Sequence, residues 1–163
     1  MDPAIVIPQY FAHLSEADVF AHFDYGFRVF GLSLAEFKQY EAQFLPILDQ
    51  VIKNKLAFEL NAKRAYLYDN LALYEYAIGL YISRGGTLFS VGSDGYYLEH
   101  FRCHFDDLFA LLKAKGVTKL AIYQKRKANY GSITGAAVKI MDRFFRHRKV
   151  PLHRKIFKTQ ISA

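Results

Sequence analysis

Two clusters in this chain have residue types and spacings suited to chemistry: a cationic run near the C-terminal end and a histidine-rich segment before it. Lys125, Arg126, Lys127, Ala128, Asn129, Tyr130 and Gly131 read as a polar basic loop, and a helix is predicted from Ser132 to Arg146 or Arg148. At about 100° per residue, Ile133, Ala137, Ile140, Met141 and Phe144 gather on one side of that helix. Ser132, Lys139, Arg143 and Arg146 gather on the other, and Arg148, Lys149, Arg154, Lys155 and Lys158 continue the run of cations.

Such a stripe suits a polyanion, because every Lys or Arg that neutralises a phosphate releases condensed counterions and the gain accumulates over contacts. A helix starting at Ser132 would add free backbone amides and the positive end of its dipole. Tyr130 stands beside the cations, as stacking aromatics do in single-strand binders. The expected nucleic-acid contacts are therefore Lys125, Arg126, Lys127, Tyr130, Ser132, Lys139, Arg143, Arg146, Arg148 and Lys149. The bland alternative is a solvated face followed by a tail that aids solubility.

The second cluster is Glu99, His100, Cys103, His104, Asp106 and Asp107. On a helix, His100 and His104 share one face with Cys103 and Asp107 beside them, and imidazole, thiolate and carboxylate all ligate zinc. His100, His104 and Asp107 are thus metal candidates, but no third or fourth ligand from elsewhere is evident, since His13, His22, His147 and His153 form no pairing motif. The competing reading is a helix start with partly buried histidines and an acidic first turn. A nucleophilic Cys103 needs a base that spacing alone does not supply.

Gly85, Gly86, Gly92 and Gly95 match neither the Walker A spacing nor the dinucleotide fingerprint, so no cofactor is expected. Arg148 and His153 have an Arg-four-His spacing used by some helical ribonucleases, but Pro151 breaks the helix they would need. Tyr66, Tyr68, Tyr74, Tyr76 and Tyr81 spread around one predicted helix, which favours core and interface packing over base stacking.

The elements that must position these residues follow from periodicity. Phe11, Leu14, Val19, Phe20, Phe23, Phe27 and Phe30 recur at helical spacing, with Ser15 and Asp18 as a possible cap and Gly31 as the stop. Ser33 and Glu36 have the capping-box form, which predicts a helix starting at Leu34. Pro46 predicts a kink or a new helix. A further helix is expected over Asn61–Ser83, ended by Gly85 and Gly86. Thr87–Val91 and Tyr96–Glu99 flank Gly92, Ser93, Asp94 and Gly95, a hairpin signal. Phe101–Lys115 reads as a helix with Phe105, Leu108, Phe109 and Leu112 inward, and Val117–Tyr123 as a strand. The expected class is α+β: a helical N-terminal half, then hairpin, helix, strand and helix around one small antiparallel or mixed sheet.

The 163 residues suit a single domain, with a basic tail from Lys149 onward. Apolar residues make up 52% of the chain, which excludes wholesale disorder, and no apolar run approaches the about 18 residues of a membrane helix. One cysteine excludes an internal disulfide, and the apolar start Met1–Pro8 lacks the basic region of a signal peptide, so a cytoplasmic setting is expected.

The net charge of +7 is strongly segregated. Residues 1–60 carry −4 and residues 61–118 are neutral, whereas residues 119–163 hold twelve basic side chains against Asp142 alone. The leading expectation is a non-enzymatic protein that contacts nucleic-acid phosphates through its last third. The alternatives are an interaction module for an acidic protein, such as an inhibitor, immunity protein or assembly factor, and a metal-dependent enzyme centred on His100 and His104. Opposite charges at the two ends also make a homodimer plausible.

Overall fold

The computed structural model describes residues 14–26, 33–97 and 100–133. Its centre is β2 (Ala57–Asn61), which pairs in parallel with β1 (Val19–Phe20) on one side and with β3 (Phe89–Gly92) on the other. The register runs Phe20 to Phe58 and then Phe58 to Phe89, Glu59 to Ser90 and Asn61 to Gly92. Parallel neighbours cannot be joined by a tight turn, so helices fill the crossovers. Between β1 and β2 lie α1 (Leu34–Gln39) and α2 (Glu41–Lys53), and between β2 and β3 a π-helical turn over Lys63–Leu67 and α3 (Leu71–Ser83).

Strand alternation then decides what each sheet face does. Phe20, Phe58 and Phe89 meet on the helical side, where the Phe58 ring lies 5.9 Å from Phe20, 6.3 Å from Phe89, 5.2 Å from Phe23 and 5.1 Å from Tyr81 of α3. Helix α2 adds Phe44, Ile47, Leu48 and Val51, and α1 adds Phe37. Burial pushes the Tyr81 hydroxyl up to about 12, and that hydroxyl donates to the Leu56 carbonyl at 3.4 Å.

After β3 come α4 (Phe105–Ala114), β4 (Lys119–Gln124) and β5 (Lys127–Ser132). The last two form an antiparallel hairpin with Ala121 opposite Tyr130 and Gln124 opposite Lys127. Its two-residue turn holds Lys125 at φ +50° and Arg126 at φ +62°. Arg126 then bonds Asp18 at 3.2 Å and the Glu16 carbonyl at 2.9 Å, which ties the hairpin tip to the amino end of β1. At its other end, β4 begins beside Thr87 and Leu88, just before β3. The hairpin therefore spans the parallel sheet near its amino edge.

Helices and strands coexist, as an α+β reading expects, and α1 carries the full capping box: Ser33 Oγ accepts the Glu36 N–H at 3.3 Å while Glu36 Oε2 accepts the Ser33 N–H at 2.7 Å. The inward set of α4 is buried as its spacing predicts. Seven expectations are corrected. The described strands form two sheets, one parallel and one antiparallel, in place of one small antiparallel or mixed sheet, because helical crossovers join the first three while a tight turn joins the last two. Val19–Phe20 is a strand within the stretch read as helix, because pairing with Ala57 and Phe58 outweighs local spacing. Asn61 ends β2, so the long helix expected from that residue starts only at Leu71, after the π turn. Among the described residues Gly92–Gly95 joins no hairpin: Tyr96 and Tyr97 lie in no strand, and β3 pairs with the distant β2. Residues 125–131 are not a loop but the turn and β5 of the true hairpin. The helix read from Phe101 starts at Phe105, after a run of turns. Pro46 sits inside α2, and the break falls earlier, at Tyr40 between α1 and α2.

Because Phe58 is fully buried against rings from four other segments, Phe58→Ala is expected to lower stability by about 3–5 kcal/mol. Denaturant titration of the purified variant reads this; a loss below about 1 kcal/mol contradicts the central role given to the ring.

Candidate functional site

The hairpin brings the first part of the cationic run into a defined frame. Lys125, Arg126 and Lys127 lie at its tip and Tyr130 is 58% exposed on β5. Lys119, Ala121 and Tyr130 share one hairpin face by register. That face borders a groove of about 380 Å³ whose walls include Thr87, Lys115, Thr118, Lys119 and Tyr130. Two lysines, two threonines and an exposed tyrosine line it beside the apolar Ile82, Leu88 and Val117, a mixed surface on which an anion with an aromatic or planar body can be accommodated.

The cations at the tip are not equivalent. Arg126 is engaged with Asp18 and Glu16, so it anchors the hairpin, whereas Lys125 and Lys127 are exposed and enter no ion pair among the described residues. Ser132 is the last residue of β5, paired with Lys119, and the next amide, that of Ile133, donates to the Thr118 carbonyl at 3.0 Å. The helix start expected at Ser132, with its free amides, is therefore replaced by the end of a strand. Lys139, Arg143, Arg146, Arg148 and Lys149 lie outside the described residues, as does the helix expected to carry them.

The histidine cluster comes apart once the helix start moves to Phe105. His104 sits at φ +59° before α4, stacks on Tyr66 at 4.7 Å and pairs with Asp107 at 2.8 Å. His100 lies in the preceding turn, against Gly95 and the edge of Tyr97 at 5.4 Å, so the two imidazoles do not share a helix face. Among the described residues no group of three or more His, Cys, Asp or Glu side chains is placed to hold a metal ion. Glu99 lies outside the described residues.

The structure gathers a second polar cluster that spacing did not single out, at the carboxyl ends of the parallel strands, where open parallel sheets usually place their ligands. Asp24, 2% exposed, pairs with the buried Arg64 at 3.1 Å. Asn61 Oδ1 accepts the Arg64 N–H at 2.9 Å and its amide meets His22 Nδ1 at 3.4 Å. Burial and the Asp24 carboxylate push the Tyr74 hydroxyl far up. Burial likewise raises Glu59 above its ordinary value of 4.5, opposed by His22 and reinforced by Asp94 and Asp24. The available signal was a lone acid in the apolar strand segment Ala57–Asn61.

Outside both clusters, Tyr68 and Tyr96 are exposed and flank Lys63, whose ammonium lies 5.8 Å and 4.5 Å from their ring centres. Among the described residues, no helix is long and apolar enough to cross a membrane. No protein-family model, curated protein or solved structure matches the chain.

Two outcomes test the carboxyl-end cluster. Arg64→Met strands a buried carboxylate and should cost about 3–5 kcal/mol, much of it recovered when Asp24→Leu is added; a denaturation series that finds the single variant neutral contradicts the pairing. For Glu59, the folded value lies above the unfolded one, so the folded state holds the proton more tightly. Its contribution is therefore favourable at low pH and fades as pH rises from 4.5 through the folded value. Glu59→Gln removes that decline, and midpoint-against-pH curves that stay parallel in the two proteins contradict it.

Proposed function

We propose that the protein binds nucleic acid through phosphate contacts made by its cationic last third. The observation carrying this reading is the segregation of charge, with twelve basic residues against one acidic residue over positions 119–163. The exposed Lys125 and Lys127 and the groove walled by Lys115, Lys119 and Tyr130 support it, because they offer spaced ammonium groups beside an aromatic face at the point where the run begins. Lys139, Arg143, Arg146, Arg148 and Lys149 extend the contact along the chain. Arg126 acts as the anchor of this surface, since its guanidinium is held by Asp18 and Glu16. The protein acts as a binding module, and phosphate contacts of this kind fix position without reading sequence.

Titration of labelled single-stranded DNA, RNA and duplex DNA at several salt concentrations tests the proposal. The expected result is a steep fall in affinity with salt, with each of Lys119→Ala, Lys125→Ala and Lys127→Ala lowering the log–log slope by about 1. Tyr130→Ala should weaken single-strand binding by about 1–3 kcal/mol while leaving the salt slope unchanged. A flat salt response, or no binding at low salt, overturns it.

A further inference from the structure

On the sheet face turned away from the helices, a cavity of about 340 Å³ lies between the parallel strands and β4. Glu59 and Ser90 stand in its wall, and because they are register partners on β2 and β3 they project side by side. Ser90 is only 9% exposed. Its Oγ and Glu59 Oε2 are both shielded from solvent, and neither has a hydrogen-bond partner among the described residues. An unpaired buried polar atom is costly and uncommon in a folded chain, so two neighbouring ones on a single cavity wall mark a place where an outside group supplies donors.

The surroundings define that group. Val19, Ala21, Leu120 and Ile122 line it with apolar residues, and Tyr123 lies beside them. His22 offsets part of the negative potential at Glu59, Asp94 and Asp24 add to it, and Arg64 is already committed to Asp24. The cavity wall itself holds Glu59 and no cation, so an anion is disfavoured. A bare divalent ion needs six or so oxygen ligands, and no described group of three or more metal-ligating side chains converges. A cavity of this size lies within the range of small-molecule sites. We propose that it binds a small primary ammonium with a short apolar body, Glu59 and Ser90 turning their unpaired oxygens out of the wall to accept its N–H groups. The apolar walls take the hydrocarbon part, and the Glu59 carboxylate holds the charge.

The test titrates the full chain with n-butylammonium, n-butanol and butyrate, following the amide NMR signals of Ser90 and Val91. Saturable binding of n-butylammonium is expected, at least about tenfold tighter than n-butanol, with no response to butyrate. Glu59→Gln should weaken it by about tenfold or more and Ser90→Ala by about threefold. Ser90→Ala keeps the carboxylate and serves if Glu59→Gln fails to fold. The proposal is overturned if n-butylammonium does not saturate, if n-butanol matches it, or if the folded variants bind as the parent protein does.

Discussion

Strand β2 is clamped between two parallel neighbours, and one aromatic contact set on its helical face fixes the rest. Phe58 meets Phe20, Phe23, Tyr81 and Phe89, so the rings of β1, the segment after it, α3 and β3 are located by a single side chain. Because successive strand residues point to opposite faces, seating Phe58 sends Glu59 to the other side. The acid is buried there by the same packing that stabilises the core. Gly92 follows from this placement as well, since a Cβ at that position would collide with Glu59 Oε1. The core choice thus sets where the acid stands, and the glycine on the next strand leaves its carboxylate room.

Ion pairs in the structure do unequal work. Asp24 and Arg64 are both nearly buried, so separating them leaves a charge in a medium that solvates it poorly. Arg84 and Asp49 are bidentate at 2.8 Å and 2.6 Å but exposed, and water screens most of their attraction. Arg126 and Asp18 are also largely exposed, yet their position gives them leverage. They hold a hairpin whose turn residues both lie in the left-handed region, a conformation that glycine and asparagine adopt more readily than lysine and arginine.

That turn explains what could and could not be read from the chain. Signals confined to a few neighbouring residues were legible: the Ser33 and Glu36 capping box, the inward face of α4, and β3 itself. Features decided by distant partners were not. Val19 and Phe20 are spaced as in a helix but become a strand because Ala57 and Phe58 are available to pair with them. Asp94 and Gly95 imitate a hairpin turn, whereas they follow a strand whose partner lies some thirty positions earlier. Lys125 and Arg126 imitate a solvated loop because nothing local announces a left-handed pair, and Asp18 stabilises it from across the sheet. The same division holds for the sites. The cationic run is visible as composition, while the adjacency of Glu59 and Ser90 exists only through the β2 to β3 register.

The hairpin also separates the two charged regions. Lys119 stands beside the amino end of β3, and the Lys125–Lys127 turn reaches the amino end of β1, so these cations lie along one edge of the sheet. Asp24 and Asp94 follow the opposite ends of β1 and β3, with Glu59 between the two edges. A five-residue strand such as β2 is about 16 Å long, roughly twice the Debye length of about 8 Å at physiological salt. The cationic edge and the acids at the far end thus lie about a strand length apart, and Asp18 at the cationic edge is paired with Arg126. Arg126 is the cation of the turn paired with an acid of the same chain, and that exposed pair holds the tip at which Lys125 and Lys127 are displayed.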